Sequence, residues 1–261
     1  MGELLDKLER ASRGAAAPLG FAQMVKREKI APMLLLGALA AGDAAGAKLA
    51  ADGALDGTIV VGTGGADKAG VDRSAAALKG TTFGVWLDEA QPAMPEGADF
   101  GVFSSETTPA SALSGNERTT VMHVVPELDD SLLRTIENLP VDAFLVSLAD
   151  AGSLTVRQLM RLARVRGVTS RPILVHVASL PTQEEIELLR DAGAGAVVVD
   201  LAGQTAASLK ALRDLLDDLP HEAPKRRKGR GVVTLGSPPA SASAPSRREP
   251  EPDEDDDDDE P

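Results

Sequence analysis

The feature that most constrains the fold of this chain is a short apolar run that recurs eight times within the first 200 residues. Most of the runs are continuous rather than alternating in hydrophobicity, which is typical of parallel strands buried on both faces. They span residues 33–36, 58–62, 82–87, 100–103, 120–125, 143–148, 173–177 and 196–199. The chain is therefore predicted to contain eight buried parallel strands.

The segments between these runs mostly repeat apolar residues at helical spacing. Thr182 and Glu185, which follow the seventh run, match a capping box, the sequence pattern of a helix start. Two connections differ from this pattern. Residues 88–99 contain Pro92, Pro95 and Gly97 and cannot form a regular helix, and residues 106–118 have room for only a short one. Helices are therefore predicted in most crossovers and reduced after the third and fourth strands.

Regular alternation of strands and helices predicts an α/β chain, and eight units favour a closed (β/α)8 barrel of the TIM type. The competing interpretation is an open doubly wound sheet, which normally carries a G-x-G-x-x-G loop after its first strand. Residues 37–42, which follow the first run, lack that spacing. The predicted organisation is an N-terminal helix and connection at 1–29, a barrel at 30–220 and a tail at 221–261.

The tail differs sharply in composition from the rest of the chain. A basic cluster at 225–230 is followed by Ser, Pro and Ala, and then by an unbroken acidic run at 253–260. A segment of this kind buries too little apolar surface to offset its chain entropy, and it is predicted to be disordered. The run of acids is expected either to contact basic residues of the tail itself or to recruit a protein partner.

Charge and composition exclude several classes of function. Residues 1–220 carry 20 Lys and Arg against 29 Asp and Glu, so no general nucleic-acid surface is expected. The chain has no Cys and only three His, which excludes thiolate metal sites and Cys nucleophiles. It contains neither an apolar stretch long enough to cross a membrane nor a signal peptide, and a cytoplasmic location is expected.

Residues 172–202, PILVHVASLPTQEEIELLRDAGAGAVVVDLA, resemble the last quarter of aldolase-type, phosphate-binding barrels, including flavin-mononucleotide enzymes and nitronate-monooxygenase-like proteins. The resemblance implies a phosphate or FMN site in the last two loops, with Ser179, Gly203, Gln204 and Thr205 as the cofactor-binding residues. The chain departs from the family pattern where Ala178 and Ser179 replace a Gly-Gly loop and where Asp200 replaces a Gly at the end of the last strand. A carboxylate at that position disfavours phosphate or FMN.

In a barrel, the residues that follow each strand surround the active site. Here they include many acids and no Lys or Arg. Asp88, Asp150 and Asp200 are candidate ligands of a divalent cation or groups that orient a substrate. The acidic candidates for acid–base catalysis are Glu106 and Glu127. The alternative interpretation is that these acids cap helices or lie solvated in loops.

Two histidines lie within predicted strands, His123 in the fifth and His176 in the seventh. Each is either a base at the barrel mouth or a hydrogen-bonded core residue. His176 is the stronger catalytic candidate because the loop that binds ligand in the similar barrels follows it directly. Trp86, the single Trp, ends the third strand and is either a packing residue or a wall of the pocket.

The sequence leaves two functions open. One is an enzyme that binds a small metabolite at the carboxyl ends of the strands. The other is a non-catalytic barrel that binds partners through its thinly covered side and its charged tail. The missing helices are expected to expose apolar barrel surface beside the third and fourth strands, which predicts a homodimer.

Overall fold

The computed structural model describes residues 2–14, 30–52, 54–62, 68–87, 94–104, 108–113, 118–125, 128–149 and 152–221. Eight strands form a closed parallel barrel in which each strand pairs with the next and β8 pairs with β1. They are β1 Leu34–Ala40, β2 Gly57–Val61, β3 Phe83–Leu87, β4 Phe100–Ser104, β5 Thr119–Val124, β6 Ala143–Ser147, β7 Ile173–Val177 and β8 Ala196–Asp200. The predicted barrel is confirmed, and pairing of β1 with β8 eliminates the open sheet.

The described helices are α1 Glu3–Arg13, α2 Ala44–Ala51, α3 Lys68–Ala77, α4 Asp130–Ile136, α5 Val156–Arg166, α6 Gln183–Asp191 and α7 Ala206–Asp218. Capping boxes begin α5 at Thr155, α6 at Thr182 and α7 at Thr205. The part of the β3–β4 connection that the structure describes is not helical, and the β4–β5 connection contains one 3₁₀ turn, Ala110–Leu113. The prediction of reduced helices after strands three and four is therefore confirmed.

β1 is longer than its predicted run and continues through Gly37 to Ala40. Gly and Ala have low strand propensity, so the sequence indicates a turn there. The tertiary structure overrides this preference because β1 is paired through this stretch with both β2 and β8. A Cβ atom at Gly37 would lie only 2.7 Å from Leu55 and 2.8 Å from Leu201. A small residue is required where these two side chains cover the strand.

The barrel surface beside β3 and β4 is not exposed, which contradicts the expectation from the missing helices. The outward side chains Phe83, Val85, Leu87 and Phe103 are all buried. Met94 and Leu113, from the irregular connections, pack against the same core and provide the cover that helices provide elsewhere. The homodimer stays a prediction, and the apolar surface that was expected to form its interface is not exposed.

Helix α1 closes the amino-terminal end of the barrel. Leu4, Leu8 and Ala11 are buried in the same cluster as the inward side chains of the strands. Lys7 fastens the helix by donating through Nζ to the carbonyl of Asp56 at 2.9 Å and to Thr82 Oγ1 at 2.6 Å. The barrel is therefore plugged at this end.

Three aspartates repeat at this same end, each directly before an even-numbered strand. Each carboxylate accepts the backbone N–H of a residue in or next to the preceding strand. The pairs are Asp56 with Leu35 at 2.8 Å, Asp99 with Phe83 at 2.9 Å and Asp142 with Thr120 at 2.7 Å. Acids at the amino-terminal end of the strands therefore serve the stability of the barrel.

Residues 222–261 lie outside the described residues, so the disordered tail stays a prediction. His221, which the sequence places in the predicted tail, lies with Nε2 2.7 Å from the carbonyl of Ile30. Within the described part of the chain, no helix has the length and apolar character needed to cross a membrane.

Candidate functional site

A cavity of about 510 Å³ opens at the carboxyl ends of the strands, opposite the α1 plug. Its floor consists of inward apolar side chains, namely Ala38, Ile59, Leu145 and Val198. At the β1 and β8 edge the cavity extends to Asp43 and Ala202. Its volume lies within the range of small-molecule sites, which are roughly 300–1,000 Å³.

The side chains around the mouth divide into two groups. The apolar arc, from β1, β2 and β3, contains Ala40, Val61 and Trp86. The polar arc, from β5 to β8, contains one polar side chain from each consecutive strand: His123, Ser147, His176 and Asp200. A molecule in this cavity therefore meets hydrocarbon on one side and hydrogen-bonding groups on the other.

His176 is held between its two neighbours in the polar arc. Its Nε2 lies 3.1 Å from Asp200 Oδ1, and its Nδ1 lies 3.5 Å from Ser147 Oγ, a long hydrogen bond. The His176 side chain is 23% exposed and that of Asp200 is 55% exposed, so solvent and small molecules reach both groups. A carboxylate on one ring nitrogen sets the orientation of the imidazole.

His123 occupies a more enclosed place in the polar arc. Its ring centroid lies 5.1 Å from that of Trp86, with the two planes tilted by 55°. Burial, and secondarily the charge of His176, lower the pKa of His123. The ring is therefore neutral at pH 7, with one nitrogen that donates and one that accepts.

The structure brings two of the predicted residues, His176 and Asp200, into contact and places them in the cavity wall. The candidate acids Glu106 and Glu127 lie outside the described residues. The same holds for the candidate metal ligands Asp88 and Asp150. Within the described residues there is no group of three or more His, Asp or Glu side chains arranged to hold a metal ion.

The residues predicted to bind a cofactor are engaged in local structure. Ser179 Oγ donates to the carbonyl of Gly152 at 2.6 Å, and Gln204 Oε1 accepts from Ser208 Oγ at 3.2 Å. Thr205 caps α7. Gly203 adopts a positive φ of 76°, which favours glycine in the turn before the helix.

The end of β8 does not fit the phosphate group of FMN or of another phosphorylated ligand. The backbone N–H of Gln204 donates to Leu201, while those of Thr205 and Ser208 donate within the capping box. Asp200 adds a carboxylate to the cavity wall beside them, which repels an anion. No Lys or Arg of the described residues lines the cavity.

Ser147 and the four floor residues are not among the site residues predicted from the sequence. Ser147 occupies the last position of β6 and is paired in register with His176, so both side chains point to the same side of the barrel wall. The sequence identifies the strands, but the register that places Ser147 beside His176 follows only from the closed barrel.

No protein-family model matches the chain, and no curated protein matches its sequence. Solved structures do match its fold. (S)-3-O-geranylgeranylglyceryl phosphate synthase from Thermoplasma acidophilum, in complex with sn-glycerol-1-phosphate, has a TM-score of 0.60 and 14% identity, over 84% of this chain and 100% of that one. Wild-type GGGPS from Thermoplasma volcanium has a TM-score of 0.56 and 13% identity, over 82% and 96% of the two chains.

A mutant tryptophan synthase alpha-subunit from Pyrococcus furiosus also matches, with a TM-score of 0.51 and 14% identity, over 70% of this chain and 96% of that one. At such low identity the likeness shows that this chain has the same fold, and the chemistry must be argued from its own site.

Proposed function

We propose that the barrel mouth is the active site of an enzyme that transfers a proton on a small, largely apolar molecule. His176 is the general acid–base and Asp200 is the residue that orients it. The observation that carries this proposal is the 3.1 Å contact between His176 Nε2 and Asp200 Oδ1 in the wall of a cavity with an apolar floor.

The roles of the two groups follow from their geometry. When the proton of the imidazole resides on Nε2, it is donated to Asp200, and Nδ1 keeps a lone pair on the side of Ser147. Nδ1 then accepts a proton from a bound molecule, and the carboxylate stabilises the positive ring. In the reverse direction the protonated ring returns the proton. Ser147 Oγ positions the polar group of the substrate at Nδ1.

The remaining wall residues support binding. The floor residues Ile59, Leu145 and Val198 are buried and take the apolar part of the substrate out of water. His123 is neutral and offers a hydrogen bond at the β5 side of the mouth. Glu106 and Glu127 remain predicted alternatives to His176 as the acid–base group, and Asp88 and Asp150 remain predicted ligands of a divalent cation or groups that orient the substrate. Phosphate and FMN are not part of this proposal.

Exchange of carbon-bound hydrogen in D₂O tests proton transfer and does not require the natural substrate. The full chain is incubated in D₂O with a defined panel of small aldehydes and ketones, and loss of C–H signals is followed by NMR. At least one compound is expected to exchange. His176→Gln should slow that exchange by about 10²–10⁴-fold, the usual contribution of a general acid–base, and Asp200→Asn should slow it less.

Two further variants make the result interpretable. His221→Gln removes the described His that does not line the cavity, and it should leave exchange unchanged. Ala38→Leu fills the cavity floor and should abolish exchange while the barrel stays folded. Exchange that persists at the wild-type rate in His176→Gln contradicts the proposal. Absence of exchange with the whole panel, together with absence of ligand binding, favours the non-catalytic barrel instead.

A further inference from the structure

The charged groups of the described cavity wall are of one sign. Asp43 and Asp200 line it, and no Lys or Arg side chain of the described ranges does. His123, the more buried of the two imidazoles, is neutral at pH 7. The described wall therefore offers a ligand negative charge and hydrogen-bonding groups, but no permanent positive charge.

A helix N-terminus attracts anions when its N–H groups are free. At this end of the barrel, two helix N-termini are instead capped by side chains of the same chain. At α2, Asp43 Oδ1 accepts from the N–H groups of Ala45 at 3.0 Å and Gly46 at 3.1 Å. At α7, Thr205 and Ser208 exchange hydrogen bonds between side chain and backbone. The helices on both sides of the β1 and β8 edge thus have reduced capacity to hold an anionic group.

Asp200 is a charged side chain with one carboxylate oxygen available to a ligand. Its Oδ1 binds His176, while no described residue donates to Oδ2, and the side chain is 55% exposed at the cavity. Ser147 Oγ and His176 Nδ1 are the neighbouring groups of the polar arc that also accept hydrogen bonds. Together they present three acceptors to one end of a ligand.

We propose that the cavity binds a small organic amine in its ammonium form, with Asp200 as the counter-ion and the hydrocarbon part in the lumen. The ammonium group has three N–H donors, which match acceptors on Asp200, Ser147 and His176. Its apolar part lies over Ile59, Leu145 and Val198, and Trp86 adds an aromatic wall across the mouth. This inference rests on the proposed function only in taking the cavity as the ligand site.

A matched series of ligands tests the proposal. Benzylamine, benzyl alcohol and benzoate have nearly the same size and differ in charge. Their dissociation constants for the full chain are measured by NMR titration at pH 7. Benzylamine should bind at least about tenfold more tightly than benzyl alcohol, a ratio typical of a hydrogen bond to a charged group, and benzoate should bind most weakly.

Three variants assign the effect to Asp200. Asp200→Asn should weaken benzylamine to the level of benzyl alcohol and leave the alcohol unchanged. Asp52→Asn changes the net charge equally at an exposed residue that does not line the cavity, and it should have no effect. Ala38→Leu should abolish binding of every compound that binds, which locates the site in the lumen.

The outcomes separate this inference from the proposed function. Equal binding of amine and alcohol, tighter binding of benzoate, or binding of benzylamine that survives Asp200→Asn overturns the ammonium inference. None of these results affects the deuterium-exchange test of His176. Conversely, amine selectivity that depends on Asp200 without any exchange supports the binding site and overturns the acid–base role. Absence of binding by all three compounds overturns the inference as well.

Discussion

His176 Nε2 lies 3.1 Å from Asp200 Oδ1, although the two residues are 24 positions apart in the chain. In the barrel, His176 is paired in register with Val198, and Asp200 lies two residues further along the same strand. Because side chains two apart share one face of a strand, Asp200 points into the barrel directly above Val198. The contact therefore depends on the register of two neighbouring strands.

The lowered pKa of His123 predicts that acid destabilises the folded protein. The folded state binds fewer protons at His123 than the unfolded state does, so stability rises with pH and is lost as pH falls below the ordinary imidazole value of about 6.5. Urea denaturation at about pH 5.5 and about pH 7.5 measures this difference. His123→Gln should reduce it, while His221→Gln, at the opposite end of the barrel, should not. An equal reduction by both variants contradicts the prediction.

The contribution of Asp99 to folding stability depends on pH in the opposite direction. Burial raises the pKa of its carboxyl, despite the hydrogen bond from the Phe83 N–H, so the folded state binds a proton more readily than the unfolded state does. Stability should therefore fall as pH rises from the ordinary Asp pKa through the raised value. Asp99→Asn keeps an oxygen acceptor for Phe83 and cannot ionise, and it should remove this fall.

Denaturation midpoints measured between about pH 4 and about pH 7 test the Asp99 prediction. Asp52→Asn, at an exposed residue, is the control for net charge. If the pH dependence of Asp99→Asn runs parallel to that of the wild type, burial of Asp99 does not affect its titration.

Gly84 is required by the packing of the lumen. A Cβ atom at this position would lie 2.3 Å from two ring carbons of Phe100, which is fully buried. Because a fully buried ring would have to shift to admit the new carbon, Gly84→Ala should destabilise the protein by about 1–3 kcal/mol. Gly152→Ala meets no atom within 4 Å and should change stability by less than about 0.5 kcal/mol. Similar midpoints for the two variants in urea would show that the lumen adjusts.

Helix α1, which plugs the barrel, should contribute to folding stability and not to ligand binding in the cavity. Leu8 is 2% exposed in the lumen cluster, and Leu8→Ala should cost about 2–5 kcal/mol, because it removes buried contacts and leaves a cavity. Val156→Ala, at a helix residue that is 73% exposed, should cost less than about 0.5 kcal/mol. Ligand dissociation constants of folded Leu8→Ala should equal those of the wild type. Weakened binding would contradict the separation of the two ends.

Most of the fold is predictable from the sequence because its causes are local. Continuous apolar runs define the strands, and Thr182 with Glu185 marks the start of a helix from side chain and backbone alone. The longer β1 is not predictable in this way, since Gly37 lies in a strand because β1 is hydrogen-bonded on both sides, to β2 and to β8. The burial of Phe83 and Val85 is not predictable in this way either, because they belong to a core that the described parts of the irregular connections join through Met94 and Leu113.

For the candidate site, the sequence by itself determined which residue types follow each strand, and so it identified His176 and Asp200 as separate candidates. Only the tertiary structure decided that they form a pair and that Ser147 lies beside them. The physical reason is that strand identity depends on neighbours along the chain. The meeting of side chains depends on inter-strand register and on barrel closure, which arise from hydrogen bonds between residues far apart in sequence.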